Sequence, residues 1–176
     1  MLMDKVANSG NDEFYTPAYA VEAILPYIRP NSVVWCPFDT EESLFVKLLR
    51  KKGCAVVIGH IATGQDFFKT DPPPGCQYIV SNPPYSRKGE VLRRLFNLGV
   101  PFAMLVGVVG LFESQDRFEM FRDNDFEILY LSRRVAYFKS FADQKPSLNP
   151  PFSSVYVCHH ILPKQICFAE INKNNY

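Results

Sequence analysis

A chain of 176 residues, 47% of them apolar and 14% aromatic, has the length for one domain with a sizeable core and is too apolar to stay disordered. Its formal net charge of +1 neither implies nor excludes nucleic acid, so that partner has to be sought in local basic clusters. The opening turns polar at once, no apolar run nears the ~18–20 residues of a bilayer span, and the five cysteines form no C-x-x-C pair. These features argue against a secretory signal, a membrane segment, a disulfide scaffold and a zinc site, and for a cytoplasmic protein with free thiols.

Residues 1–13 are polar and are expected to be partly flexible. Thr16 suits a helix N-cap and Pro17 a first helical residue. Val21, Ile24, Leu25 and Ile28 follow at helical spacing, so a helix is expected over 17–28 despite Pro26. Residues 32–36 (SVVWC) read as the first strand, followed by a turn over 37–43 and a helix over about 42–52. That helix starts acidic and ends Arg50-Lys51-Lys52, as the helix dipole favours, and Gly53 closes it. Residues 55–59 form the second strand. The gap from His60 to Tyr78 is too short for a helix plus a strand, so a third strand there is short or lost, and Asp71-Pro72-Pro73-Pro74-Gly75 makes a stiff loop. Further on, helices are expected over about 90–98 and from a Ser114 cap to Arg122, with strands over 102–107 and 126–131. Residues 153–161 read as the last strand, antiparallel and at the sheet edge. No repeat or second domain is visible.

Chemistry concentrates at Tyr78-Ile79-Val80-Ser81-Asn82-Pro83-Pro84-Tyr85. Three apolar residues make a short buried strand, and the two prolines stop it, since neither can donate to a ladder. Asn82 thus stands at the carboxyl end of a strand, the edge where open parallel sheets bind ligands. Its amide oxygen and the carbonyl of Pro83 are two acceptors suited to gripping an NH2 group, and Tyr85 offers a flat surface for a planar base.

Asn-Pro-Pro-Tyr after a hydrophobic strand resembles the catalytic motif of S-adenosylmethionine-dependent amino-methyltransferases, above all small phage-type N6-adenine DNA methyltransferases. The resemblance runs through ordered motifs over about residues 13–161 and implies a Rossmann-like class I methyltransferase fold, α/β, with a mostly parallel sheet and an antiparallel last strand. It implies one domain over 1–176, with no separate target-recognition domain and a monomer as the default. Tyr15-Thr16-Pro17 is similar to the segment that helps hold the methionine end of the cofactor in this family. The turn after the first strand, which in the family reads approximately Asp-Pro-x-x-Gly-x-Gly, keeps Pro37 and Phe38. It has Cys36 for the acid and no glycines, which leaves Asp39 or Glu41 for the cofactor's amino group. His60 stands where an acidic residue usually holds the ribose, either as a ribose contact or as an ordinary surface histidine. Asp66-Phe67 resembles the adenine site.

The resemblance implies that Asn82 and Pro83 accept the two N–H bonds of an extruded adenine, with Pro84 stiffening the turn and Tyr85 fixing the ring; no metal is required. Arg87 and Lys88, which follow the motif, are expected as nucleic-acid contacts. The segment from Arg133-Arg134 to Phe152, with Tyr137 and Phe138, resembles the Arg-x-x-Phe stretch and loop of the phage-type enzymes. It reads either as a nucleic-acid surface using Arg134, Phe138 and Phe152 or as a solvated turn over the sheet edge. Asn149-Pro150-Pro151-Phe152 looks like a second motif but precedes a strand, so it is loop chemistry. DNA is the preferred partner over RNA. Two other readings stay open: an RNA adenine or protein glutamine methyltransferase, and a non-catalytic nucleic-acid- or partner-binding module on the same fold.

Overall fold

The structure is a computed structural model that describes residues 15–143, 145–146 and 152–172. The flexible opening expected over 1–13 and the Asn149–Pro151 stretch lie outside the described residues. The helices are α1 (Ala18–Glu22), α2 (Leu44–Lys51), α3 (Lys88–Leu98) and α4 (Gln115–Arg122). The strands are β1 (Val33–Cys36), β2 (Ala55–Ile58), β3 (Tyr78–Ser81), β4 (Phe102–Gly107), β5 (Glu127–Leu131), β6 (Ser154–His159) and β7 (Ile166–Ala169). They form a seven-stranded sheet in the order β2-β1-β3-β4-β6-β5-β7. β2, β1, β3 and β4 run parallel, β6 is antiparallel to both β4 and β5, and β7 is parallel to β5.

Alternation along the strands sends side chains to two cores. On one face Val34, Val80, Leu105 and Tyr156 pack with Val21 of α1, with Ile24 just after it, and with Phe45 and Leu49 of α2. On the other, Trp35, Ile79, Met104 and Val157 pack with Val91, Leu92 and Leu95 of α3 and Phe121 of α4. This two-sided burial is why β3, β4 and β6 are buried at every position. Among the described residues no strand lies between β2 and β3, as expected, and only a 3-10 turn at Ile61–Thr63 interrupts the loop. No helix among them is long and apolar enough to cross a membrane.

Three expectations are corrected. The helix expected over 17–28 stops at Glu22 and gives way to a 3-10 turn at Leu25–Tyr27, because Pro26 has no N–H to continue the ladder. Thr16 is not its cap: Pro17 occupies the N-cap position and no side chain caps the helix. The strand read over 153–161 is internal, flanked by β4 and β5, and the edge is the unanticipated β7. The chain reaches that edge by passing over the start of β5. There the buried Glu127 carboxylate accepts the N–H groups of His160 (3.0 Å), Ile161 (2.8 Å) and Leu162 (2.8 Å). Ser114 does cap α4, accepting from the Arg117 N–H at 3.1 Å.

Candidate functional site

The carboxyl ends of β1, β2 and β3 open on a cleft of about 280 Å³. Asp39, Asp66 and Asn82, which come from three separate connections beyond strand ends, all line it. Tyr15, Thr16, Pro37, Phe38, His60, Phe67, Pro83, Pro84 and Arg87 line it with them, whereas Pro17, Tyr85, Lys88, Arg134, Phe138 and Phe152 do not.

Asp39 forms the floor. It is 8% exposed, and its carboxylate accepts the Ser43 hydroxyl at 2.5 Å and the Ser81 hydroxyl. Its backbone N–H donates to Gly59 at the end of β2, which ties the β1 turn to the neighbouring strand. Burial raises the Asp39 pKa to about 6, against the opposing pull of the two hydroxyls and of His60. Ser43 also takes the Phe45 N–H at 3.2 Å as the N-cap of α2, so one serine starts a helix and orients a buried carboxylate. Cys36, at the position that is acidic in the resembled pattern, is a buried neutral thiol whose pKa burial pushes well up.

The opposite wall is aromatic. Phe67 packs on Phe38 (ring centres 4.9 Å apart), Trp35 (5.6 Å) and Phe68 (5.3 Å). Arg94 of α3 clamps this loop by donating to the carbonyls of Phe67 and Thr70, both at 3.0 Å. The Asp66 carboxylate accepts the Phe68 N–H at 3.0 Å, which fixes its direction at the rim. His60 turns its Nδ1 back onto the Ala62 N–H at 3.0 Å, capping its own turn, while its side chain still borders the cleft. Arg87 lies over the Phe68 ring at 4.0 Å and pairs with Glu90 at 2.8 Å, at the mouth.

Asn82 follows β3 directly. Its amide nitrogen donates to the buried Thr16 hydroxyl at 3.3 Å. Thr16 is held from outside the sheet: Tyr15 exchanges both backbone hydrogen bonds with Phe138 (3.1 and 2.8 Å), and its ring rests on Phe141 at 4.2 Å. Of the two readings open for their segment, the nucleic-acid surface would have Phe138 and Phe152 exposed for stacking, but both are buried, at 8% and 6% exposure. Phe138 serves as the backbone partner of Tyr15, and Phe152 packs on Tyr85 at 4.7 Å.

Lys88 also departs from the expected nucleic-acid contact. Its ammonium is buried and donates to the carbonyls of Gly107 (3.0 Å) and Val109, and burial with nearby Arg117 lowers its pKa to about 8. It pins the turn after β4 and lies beneath the Tyr85 ring at 4.9 Å. Tyr85 itself sits on Gly107, where a Cβ would come within 2.9 Å of its ring carbons. Gly107→Ala is expected to displace Tyr85 and lower stability by about 1–3 kcal/mol, read from the denaturant midpoint. An unchanged midpoint would show that the tyrosine seat is not tight.

Ser43, Ser81, Gln65 and Phe141 were missed by sequence reasoning. Ser81 carried a signal: a small hydroxyl in an otherwise apolar strand, fully buried, must find a polar partner. Phe141 carried one as an aromatic among basic residues, which reads as a stacking surface and not as part of the cleft.

The strand order is that of a Rossmann-like class I methyltransferase fold without its third strand, extended by β7. Among solved structures, the chain is similar to the 23S rRNA methyltransferase ErmE at 14% identity and a TM-score of 0.48, over 85% of this chain and 71% of that one. It is also similar to a modification subunit assigned to a type I restriction enzyme from Vibrio vulnificus YJ016, at 12% identity and a TM-score of 0.49. That match covers 99% of this chain and 51% of the subunit, so the chain spans about half its length. No family model matches the chain, and no curated protein does.

Proposed function

We propose that the chain is an S-adenosylmethionine-dependent methyltransferase that acts on an exocyclic amino group, adenine N6 in DNA first of all. One observation carries this reading. The Asn82 amide and the Pro83 turn share a cleft with a buried carboxylate, Asp39, and an aromatic wall ending in Asp66. A buried acid with a raised pKa fits a ligand that brings positive charge, and the phenylalanine rings beside a rim carboxylate fit a planar base bearing an amine.

In this reading Tyr15, Thr16 and Asp39 hold the charged amino-acid end of S-adenosylmethionine, and Asp66, Phe67 and Phe38 hold its adenosine end. His60 borders the ribose. When bound, the cofactor supplies an electrophilic methyl group on a sulfonium. Asn82 and the Pro83 carbonyl accept the two N–H bonds of the target amine, which concentrates the nitrogen lone pair away from the ring. With that methyl delivered, the nitrogen would gain an N–C bond as the methyl–sulfur bond is lost, and Asn82 and Pro83 would hold its two protons until one passes to water. Positioning and fixed dipoles supply the acceleration. Tyr85, seated on Gly107 and Phe152, bounds the side of the target base, and Arg87 and the exposed Arg134 are the cations placed for a phosphate backbone.

Titration calorimetry with S-adenosylmethionine, followed by tritiated methyl transfer to unmethylated DNA and to RNA in parallel, tests the proposal. N6-methyladenine in the digested DNA supports it, and label in RNA alone moves the substrate to RNA. Neither heat at millimolar cofactor nor label in either polymer would leave a non-catalytic binding module. The glycine-free turn over 37–43 leads to an expected affinity in the micromolar to millimolar range, about −8 to −4 kcal/mol. Asp66→Ala is expected to weaken it by about tenfold, the loss of one charge-assisted hydrogen bond.

A further inference from the structure

We infer that Thr16 is a positioning residue: its hydroxyl sets which end of the Asn82 amide faces the target nitrogen, and it does so when the cleft is filled. The inference rests on the methyl-transfer reading of Asn82. An amide is nearly symmetric in shape, yet only its oxygen can accept from an amine; its NH2 end would repel the same N–H bonds. Something has to choose between the two orientations. Thr16 lies against the amide and meets its nitrogen end, with Asn82 Nδ2 donating to Oγ1 at 3.3 Å.

Thr16 is suited to that task because nothing local uses it. The following helix has Pro17 at its N-cap and no side-chain cap bond, although a threonine before Pro17 would ordinarily take that role. Its main chain is immobilised on both sides, by the Tyr15–Phe138 pairing before it and by Pro17, whose carbonyl accepts from Ala20 (3.1 Å) and Val21 (3.3 Å) after it. Thr16 is 5% exposed and still borders the cleft. A hydroxyl has one hydrogen and two lone pairs. Once the hydrogen is donated to a carboxylate-bearing ligand in the cleft, only lone pairs remain for Asn82, so Nδ2 must face Thr16 and Oδ1 must face the opposite way. Ligand binding thereby fixes the catalytic orientation, through one hydroxyl.

The test uses Thr16→Val, which keeps shape and removes the hydroxyl, and Thr16→Ser, which keeps the hydroxyl. At saturating cofactor, Thr16→Val is expected to lower kcat about tenfold, the value of one well-placed hydrogen bond, and Thr16→Ser to restore it. In an Asn82→Ala background the same Thr16→Val change should leave the residual kcat unaltered. A rise in cofactor KM with unchanged kcat would reduce Thr16 to a cofactor contact. An equal kcat loss in both backgrounds would reduce it to a structural one. A readout that needs no turnover accompanies these: the side-chain amide resonances of Asn82, identified by their disappearance in Asn82→Ala. On adding S-adenosylmethionine they should shift and exchange more slowly in the wild type and Thr16→Ser, and not in Thr16→Val. Identical amide behaviour in all three overturns the inference even if methyl transfer is confirmed. A wild type that transfers no methyl group yet shows the Thr16-dependent shift would instead overturn the methyl-transfer reading alone.

Discussion

Asn82→Ala is expected to lower methyl transfer by about 10²–10³ while the protein stays folded. The magnitude is that of removing one preorganised partner of a group that changes charge in the transition state. Asn82 is half-buried in the turn after β3 and borders the open cleft, where its amide donates to Thr16 at 3.3 Å, so truncation opens no core cavity. Thermal melting within a few degrees of the wild type, alongside the lost activity, is the expected pair of results. Equal activity of the two proteins on either polymer would remove Asn82 from the mechanism. Tyr85→Phe should be nearly silent in kcat, because its ring is what Phe152 and Lys88 contact.

The second large effect concerns pH and Asp39. The carboxyl titrates near 6 in the folded protein against about 3.9 in an unfolded chain. Between those values the folded state binds the extra proton, so this group's contribution to stability falls as pH rises from about 4 to 6 and is constant above. Two units correspond to about 3 kcal/mol. Asp39→Asn keeps an acceptor for one of the two serine hydroxyls and offers an NH2 donor to the other, without the charge, so the variant should gain on the wild type across that window and be the more stable protein at pH 7.5. Urea midpoints of both proteins at pH 4.5 and pH 7.5 measure it, and parallel shifts of the two would contradict it. Cofactor affinity should follow the reverse course. The ionised carboxylate is the form that attracts a cation, so calorimetric affinity should rise through pH 6 in the wild type and stay flat in Asp39→Asn.

Much of the site was legible because strand ends and punctuation residues are local signals. An apolar run stopped by Pro83-Pro84 places Asn82 at a sheet edge whatever the rest of the chain does, and the shortness of the 60–77 gap rules out a helix and strand within it. Side-chain destinations were less legible. Thr16 beside Pro17 reads as a cap, and only the approach of β3 from 66 residues along the chain gives its hydroxyl a better donor. Lys88 next to Arg87 reads as a basic pair, yet they fall on opposite sides of the α3 start, one beneath Tyr85 and the other over Phe68. Phe138 and Phe152 look like exposed aromatics in a polar loop because the surfaces that bury them belong to Tyr15 and Tyr85, far off in sequence. β7 was missed because Ile166 and Phe168, with one face open, carry no sign of a buried strand.

The insertion of β6 between β4 and β5 bears on how the chain is made. A ribosome releases β5 before β6, and β5 pairs only with β6 and β7. The four parallel strands, by contrast, are all available once residue 107 has emerged. A nascent chain can therefore build the floor of the cleft, Asp39 with Ser43 and Ser81, while β5 still waits for its first neighbour. During that interval Ile128, Leu129, Tyr130 and Leu131 form an apolar segment without a ladder, a site for a chaperone rather than for substrate. Translation beyond His159 ends the exposure, so premature termination before Ser154 should yield a product that aggregates, not a smaller folded protein.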